Sequence, residues 1–301
     1  MFRPVVVFRN MGSEPVTELR IVYGTEGFAE RTYTWRGDLP HNGRERVELP
    51  GRIDFNRGEN RFYVTLSGPN GQRDAWPADN HATSLFDAPK ELPLQFVVQY
   101  KANNRPEDNH LFVLDSNADT LYLRTPAMSQ PNEVYRDTVQ LAPGTYEFYL
   151  TDAGGDGLEF WARPQQGYGY VRLLDMDGQI VHHFLSDSGS GQFLAFHAVA
   201  DPEPDLSVSP NAFFLYPRRT ARHIDLDAFL PQESRLKVRF LRDGQTYASH
   251  EYHQFTSGTV TFDIATLPEG RYIVEIFVDD ELVHRNRINR DAPRQRGGQG
   301  G

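Results

Sequence analysis

The sequence predicts an all-β chain of three tandem antiparallel β-sandwiches, of Ig-like or jelly-roll-like type. Short apolar-polar alternations recur along its 301 residues, as in 146–150, where Tyr146, Phe148 and Leu150 share one face. Turn pairs separate these runs, notably Asn-Gly at 42–43 and Asp-Gly at 243–244. Because no helical stripe interrupts the series, sandwiches are the favoured architecture.

Composition excludes several classes of function. Lys and Arg number 31 against 41 Asp and Glu, a formal charge of −10, which argues against nucleic acid or an anionic membrane as the main partner. No apolar run approaches the roughly 20 residues that span a bilayer. The absence of cysteine excludes disulfides, thiolate zinc sites and cysteine nucleophiles. The N-terminal apolar run is too short for a Sec signal peptide, so we expect another export route or a signal upstream.

Residues 1–90 form the first predicted sandwich, with strands at 4–9, 17–23, 31–35 and 61–66. Buried aromatics dominate small sandwich cores, so we expect Trp35 and Trp76 to pack inside. The alternative is that they are functional surface aromatics. Asp74, Asp79 and Asn80 are interpreted as turn formers rather than ligands.

This first segment resembles a known adhesion module. The stretches NMGSEPVTELRIVY, YTWRGDL with HNG, and FYVTLSGPNGQRDAWPADN are similar to the Ig-like module found C-terminal to the catalytic domain in secreted cytophagalysin (pappalysin-like) metallopeptidases. Such modules usually begin with one more strand, which is absent upstream of Phe2. The resemblance therefore implies either a fragment of a longer protein or a misassigned start.

A Pro-containing linker is predicted at 87–93, and a second sandwich at 94–200. Its most distinctive segment is LAPGTYEFYLTDAGGDGLEFW, residues 141–161. In the loop 152–157, Asp152 and Asp156 are hard oxygen ligands among glycines that let the backbone wrap an ion, which suggests a Ca²⁺ site. The alternative is a glycine-rich turn with solvated acids.

Aromatic residues follow this loop closely. Trp161, Tyr168 and Tyr170, with Phe160, are candidates for a ligand-binding platform on which a glycan stacks. The alternative is that most of them fill the core.

The middle segment resembles a β-sandwich of the same secreted Bacteroidetes-type proteins. There the common form is a leucine-proline-glycine-x-tyrosine strand followed by DSxGDG. Asp152, Gly155, Asp156 and Gly157 match this form, whereas Ala153 and Gly154 depart from it and the cysteines that often follow are absent. The resemblance is to a non-catalytic module.

A third Ig-like sandwich is predicted at 205–290, after an extended, solvated linker at 201–205. Seven short strands are expected, with a hairpin turn at Asp243-Gly244. The ending LPEGRYIVEIFVDDELVHRNRI resembles the C-terminal sorting domain of type IX secretion, although the usual opening, tyrosine-proline-asparagine-proline, is scrambled here. The tail 291–301 is expected to be disordered.

These observations predict a region without catalytic activity. No nucleophile elbow, phosphate loop or dinucleotide fingerprint occurs. We expect the accessory part of a secreted or cell-surface bacterial protein, which binds a glycan or protein ligand and, by resemblance, engages the type IX secretion machinery. Two alternatives stay open: a glycan hydrolase with its carboxylates in the middle sandwich, and a structural surface spacer.

Overall fold

The computed structural model describes residues 4–51, 53–160 and 162–292 and confirms the all-β prediction. The described residues form 21 strands and five short 3₁₀ turns, with no α-helix. In this part of the chain, therefore, there is no helix with the length and apolar content needed to cross a bilayer. The chain divides into two compact units, Met1–Lys90 and Glu91–Gly301.

Unit 1 is a sandwich with a small sheet and a larger one. Its strands are β1 (Val5–Arg9), β2 (Val16–Thr25), β3 (Arg31–Leu39), β4 (Arg44–Glu48), β5 (Glu59–Ser67) and β6 (His81–Asp87). The pair β1-β4 and the antiparallel sheet β3-β2-β5-β6 share one core. Alternation places Leu19, Ile21 and Tyr23 of β2 inside that core, as a half-buried strand requires.

The two tryptophans of unit 1 have opposite environments. Trp35 is buried and packs edge-on against Phe8, with ring centroids 5.4 Å apart, so the core prediction is confirmed for this residue. Trp76 is 70% exposed, so the same prediction is wrong there. The reason is a local turn: the Trp76 amide donates to Asp74 Oδ1 at 2.8 Å, and Asn80 Nδ2 donates to Asp74 Oδ2 at 2.9 Å. Asp74 and Asn80 thus act as the turn formers that the sequence suggested.

Unit 2 begins with a sandwich of two antiparallel sheets. Its strands are β7 (Lys90–Pro93), β8 (Gln95–Lys101), β9 (Asn109–Leu114), β10 (Thr120–Arg124), β11 (Val134–Gln140), β12 (Gly144–Asp152), β13 (Tyr170–Leu174), β14 (Ile180–His183) and β15 (Gly191–Val199). The sheet orders are β10-β9-β12-β15-β7 and β11-β8-β13-β14. Their inner faces meet in a core that includes Phe96, Phe148 and Phe196.

The predicted linker at 87–93 is mostly strand. β6 ends at Asp87 and β7 begins at Lys90, so only Ala88 and Pro89 lie between them. β7 is the edge strand of its sheet. An edge strand tolerates Pro93, because a missing amide donor there interrupts no inner ladder.

The last part of unit 2 is one six-stranded sheet. Its strands are β16 (Ala212–Tyr216), β17 (Arg219–Thr220), β18 (His223–Arg242), β19 (Gln245–Asp263), β20 (Gly270–Val278) and β21 (Glu281–Arg290). β18 and β19 each replace two of the short strands predicted. Their pairing shifts register between Phe229 and Ser234, and both halves of β18 supply residues to one core, including Leu226 and Val238.

This third sheet system docks on the middle sandwich within unit 2. Leu174 and Ile180 of the middle sandwich form a small shared core with Phe229 of β18. Beside it, the buried carboxylate of Asp227 faces Arg172 Nη2 at 3.4 Å and Lys101 Nζ at 3.7 Å. The linker 201–205 is exposed outside any strand over most of its length, as predicted. It nevertheless joins two bodies that are packed together.

The predicted disordered tail lies mostly outside the described residues, which end at Ala292. Its first residue is ordered: the Asp291 amide donates to the Thr220 carbonyl at 2.8 Å, and its carboxylate accepts from Arg219. The tail prediction is therefore wrong at Asp291.

Candidate functional site

The loop 152–157 is fixed by two other loops of the middle sandwich. Asp152, the last residue of β12, lies directly across from Asn109 of β9. The Ala153 amide donates to the Asp108 carbonyl at 2.8 Å, and the Leu158 amide donates to the Ser186 carbonyl at 2.8 Å. Because each contact spans more than 25 residues, folding of the whole sandwich is needed to assemble this site.

Gly157 allows this close approach. Its φ of +69° is one that L side chains rarely adopt, and a Cβ there would lie 2.7 Å from the Ser188 amide nitrogen. Glycine is therefore required at this position for two reasons, conformation and space.

Three carboxylates converge next to Gly154. A Cβ on Gly154 would lie 2.9 Å from Asp108 Oδ2, 3.0 Å from Asp156 Oδ1 and 3.2 Å from Asp152 Oδ1. Asp108 was not a sequence candidate, because 44 residues separate it from Asp152 and only the pairing of β9 with β12 brings them together. The structure therefore joins both predicted metal ligands and adds a third acid.

Two of these three acids have arginine partners. Arg163 Nη1 lies 3.0 Å from Asp156 Oδ2, and Arg105 Nη2 lies 2.9 Å from Asp108 Oδ2. Among the described residues Asp152 has no such cation: its Oδ1 accepts from the Gly155 amide at 2.6 Å, and its buried Oδ2 has no hydrogen-bond partner there. Burial, and then the charges of Asp156 and Asp108, raise the pKa of Asp152 despite that backbone hydrogen bond.

The fit of Ca²⁺ to this loop is partial. Asp152 Oδ2 and the buried Oδ1 of Asn109 are oxygen acceptors without a hydrogen-bond partner in the described part of the chain, which suits a hard cation. The arginine partners of Asp156 and Asp108 compete with such an ion. Within the described ranges, no group of three or more His, Asp or Glu side chains is arranged to hold a metal as it stands. Calcium at Asp152 and Asp156 therefore stays a prediction.

The predicted aromatic platform is not at the surface where the structure describes it. Trp161 lies outside the described residues. Tyr168 and Tyr170 are each 5% exposed; Tyr168 stacks on Phe214 at 4.9 Å between ring centroids, and burial raises the pKa of Tyr170 to about 12. Their placement matches the alternative of core packing and gives the glycan-stacking prediction no support.

A different aromatic site lies in unit 1, at the exposed Trp76. This ring lines a cleft of about 410 Å³, together with the 61%-exposed Met11 and the exposed polar residues Arg73 and Asp79. The hydrogen bond from the Trp76 amide lowers the pKa of Asp74, so that carboxylate holds the turn across the neutral range. The local signal for this exposure is the Asp-x-Trp-Pro turn of residues 74–77.

A second aromatic group lies on the outer face of the middle sandwich, with Phe193 exposed and Phe112 and Tyr149 half-buried. Phe112, Tyr149 and Phe193 are direct cross-strand neighbours on β9, β12 and β15, and Leu123 of β10 extends the row. Ring centroids are 5.0 Å and 6.0 Å apart, with interplanar angles of 14° and 26°. Tyr149 is stacked by a ring on each side, and Phe193 at one end of the row is 66% exposed. The exposed Trp76 ring has the polar residues Arg73 and Asp79 beside it, so its cleft suits a glycan better than this row does.

The comparisons with known proteins give remote likenesses only. No protein family model matches the chain, and no curated protein does. Among solved structures, dimeric latent PorU from Porphyromonas gingivalis aligns with 93% of this chain at 10% identity and a TM-score of 0.34, and this chain spans 30% of that one. Domains 5–6 of the S-layer protein SbsC align with 77% of this chain and 89% of their own, at 10% identity and a TM-score of 0.23.

A repeat from the extending region of a large adhesion protein is a third likeness, covering 96% of this chain and 74% of its own at 12% identity and a TM-score of 0.20. Scores this low carry no argument about function. The case for function therefore depends on the residues of this chain.

Proposed function

We propose that this chain is a non-catalytic accessory region of a secreted or cell-surface bacterial protein, and that unit 1 binds a glycan through the Trp76 cleft. The observation that carries the proposal is the exposed indole of Trp76 beside a polar-rimmed cleft. An indole held on the surface by a dedicated turn gains no core packing, so its hydrophobic face is available to stack on the C–H face of a sugar.

The rim of the cleft supports this choice of ligand. Arg73 and Asp79 are exposed beside Trp76, and Gln72 adds an amide. Together they provide donors and acceptors for sugar hydroxyl groups, while the ring supplies the apolar contact. Binding sites of this kind combine one apolar surface with a few placed polar groups.

The proposal also includes export of this chain and its place within a longer protein. The similarity of residues 267–288 to a type IX sorting domain supports export by that machinery, and the similarity of unit 1 to an adhesion module supports a role beside a catalytic domain elsewhere in a longer protein. Both rest on resemblance of sequence.

The binding proposal is tested on a glycan array, with the affinity of each positive glycan measured by calorimetry for wild type and for Trp76→Ala. Loss of the stacking contact is expected to weaken binding at least tenfold, about 1.4 kcal/mol. Leu85→Ala is the matched control, because Leu85 is 54% exposed on β6 and does not line the cleft. Absence of glycan binding, or equal binding by Trp76→Ala, would contradict the proposal.

The same glycans test the proposal that the chain has no catalytic activity. Prolonged incubation with wild type is expected to release no reducing ends. Release that is abolished by Asp156→Asn would overturn this proposal and favour the hydrolase alternative with carboxylates in the middle sandwich.

A further inference from the structure

A large basic cavity lies in unit 2, at the end of the third sheet system. Its volume is about 1190 Å³, and its walls come from residues 216–221, β20, β21 and the middle sandwich. The charged residues lining it are Arg218, Arg219, Arg271, Arg287, Glu159 and Asp291. Four arginines against two acids leave a local excess of positive charge in a chain whose formal charge is −10.

Both acids of the cavity are already paired. Asp291 Oδ2 lies 2.5 Å from Arg219 Nε, and Glu159 Oε2 lies 3.7 Å from Arg218 Nη2. The side chain of Glu159 is only 8% exposed, and its partner Arg218 lines the same cavity. These two acids therefore face Arg219 and Arg218 rather than Arg271 or Arg287.

Arg271 and Arg287 are the other two arginines of the cavity. Both are exposed, and neither has an ion-pair partner among residues 4–51, 53–160 and 162–292. Arg271 of β20 lies opposite Asn289 of β21, and Arg287 lies opposite Ile273. The two arginines are therefore diagonal neighbours on one face of the sheet, about 7–8 Å apart at the backbone. That separation lets two long side chains converge on one small group.

We propose that this cavity binds a phosphate or sulfate group, with Arg271 and Arg287 as the guanidinium ligands. A guanidinium presents its N–H donors as a planar fork that matches the oxygens of such an anion, and charge-assisted hydrogen bonds are the stronger kind. The Asn289 side chain lines the same wall and adds an amide. The proposal is independent of the Trp76 cleft, because the two sites lie in different units.

Calorimetric titration of the full chain at low ionic strength tests the proposal, with inorganic phosphate, inorganic sulfate and a phosphorylated monosaccharide as probes. The double variant Arg271→Gln/Arg287→Gln is expected to bind the best probe at least tenfold more weakly. Tighter binding of the monosaccharide than of the free anions would identify a phosphorylated sugar as the preferred form, whereas equal binding would identify the free anion. Affinity is also expected to fall as salt is added.

The matched control is Arg20→Gln/Arg136→Gln, which removes the same charge from exposed positions outside the cavity. It is expected to stay within twofold of wild type. The variant Arg271→Lys/Arg287→Lys keeps the charge but not the fork, so an intermediate loss is expected. No binding of any probe, or equal loss in the control, would overturn the site. Unchanged circular dichroism spectra and melting temperatures would show that each variant is folded.

Discussion

Removing the carboxylate of Asp227 is expected to destabilise unit 2 strongly. Asp227 is 6% exposed and faces two cations, Arg172 at 2% exposure and Lys101 at 8%. Arg172 also stacks over the Tyr170 ring at 3.8 Å, and the Lys101 ammonium lies 3.4 Å from the Tyr168 ring centroid. Those contacts keep both cations inside once their counter-ion is gone. Breaking a buried pair by removing one partner costs about 3–5 kcal/mol, so Asp227→Asn is expected to fall in that range.

The pH dependence of this variant has a predictable sign. Burial lowers the pKa of Lys101, and the Asp227 charge partly opposes that shift. In Asp227→Asn only the weaker effect of the Asp225 charge still opposes burial, so the folded-state pKa of Lys101 falls further below its unfolded value. A lysine with a depressed folded pKa costs stability as pH falls from its unfolded pKa toward its folded pKa. The difference in unfolding free energy between wild type and Asp227→Asn is therefore expected to decrease as pH rises from 7 toward 10.

Scanning calorimetry and urea denaturation measure this effect, with the transition of unit 1 as an internal reference. Asp225→Asn is the matched control: Asp225 precedes Asp227 by two residues on β18, is half-buried, and accepts a hydrogen bond from Thr261 that an amide can replace. It is expected to cost about 1 kcal/mol or less. A loss below about 1 kcal/mol in Asp227→Asn would refute the reasoning, because it would mean that water reaches both cations.

Three further outcomes concern the loop 152–157 and two turn tyrosines, Tyr146 and Tyr272. We predict that Ca²⁺ raises the melting temperature of wild type and not that of Asp152→Asn; an unchanged wild-type curve on chelation would remove the calcium hypothesis. Without calcium, Asp152→Asn is expected to be more stable than wild type at pH 7, since an acid whose folded pKa is raised contributes stability that is lost as pH rises through that value. Tyr146→Phe and Tyr272→Phe are each expected to lower the free energy of unfolding, measured by urea denaturation, by about 1 kcal/mol. Each hydroxyl donates to a carbonyl four residues upstream, at 2.9 Å to Ala142 and 2.7 Å to Pro268. A loss near zero for either would show that water replaces the hydrogen bond.

Local pattern alone predicts much of this fold. Alternation places Tyr146, Phe148 and Leu150 inward, as observed, and the Asp-Gly pair at 243–244 forms the turn between β18 and β19. Residues 141–146 (LAPGTY) and 267–272 (LPEGRY) share a turn followed by a tyrosine-led strand, which common turn chemistry explains. The structure adds a reason for the shared tyrosine, since its hydroxyl closes the turn in both places.

What sequence cannot supply is the identity of distant neighbours. Asp108 joins Asp152 only through the register of β9 with β12, and that register depends on the whole sandwich. Alternation also identifies which residues share a face without saying what covers it. On β18, Ile224 and Leu226 point to the core and Asp227 points away, which predicts a solvated acid. The middle sandwich covers that face and buries it.

The docking within unit 2 constrains the proposed export role. A sorting domain on a solvated tether could be recognised or removed without disturbing its neighbour. Here, separating the third sheet system from the middle sandwich exposes Phe229, Leu174 and Ile180. It also removes the Asp227 carboxylate from Arg172 and Lys101. Because that separation exposes the shared apolar core to water, it is unfavourable, and the secretion machinery would meet the two sheet systems of unit 2 as one body. The arginine cavity depends on the same docking, because its wall includes Glu159 of the middle sandwich as well as Arg218. We therefore expect Asp227→Asn to weaken phosphate binding although Asp227 does not line the cavity, whereas a cavity built by the third sheet system alone would bind phosphate unchanged.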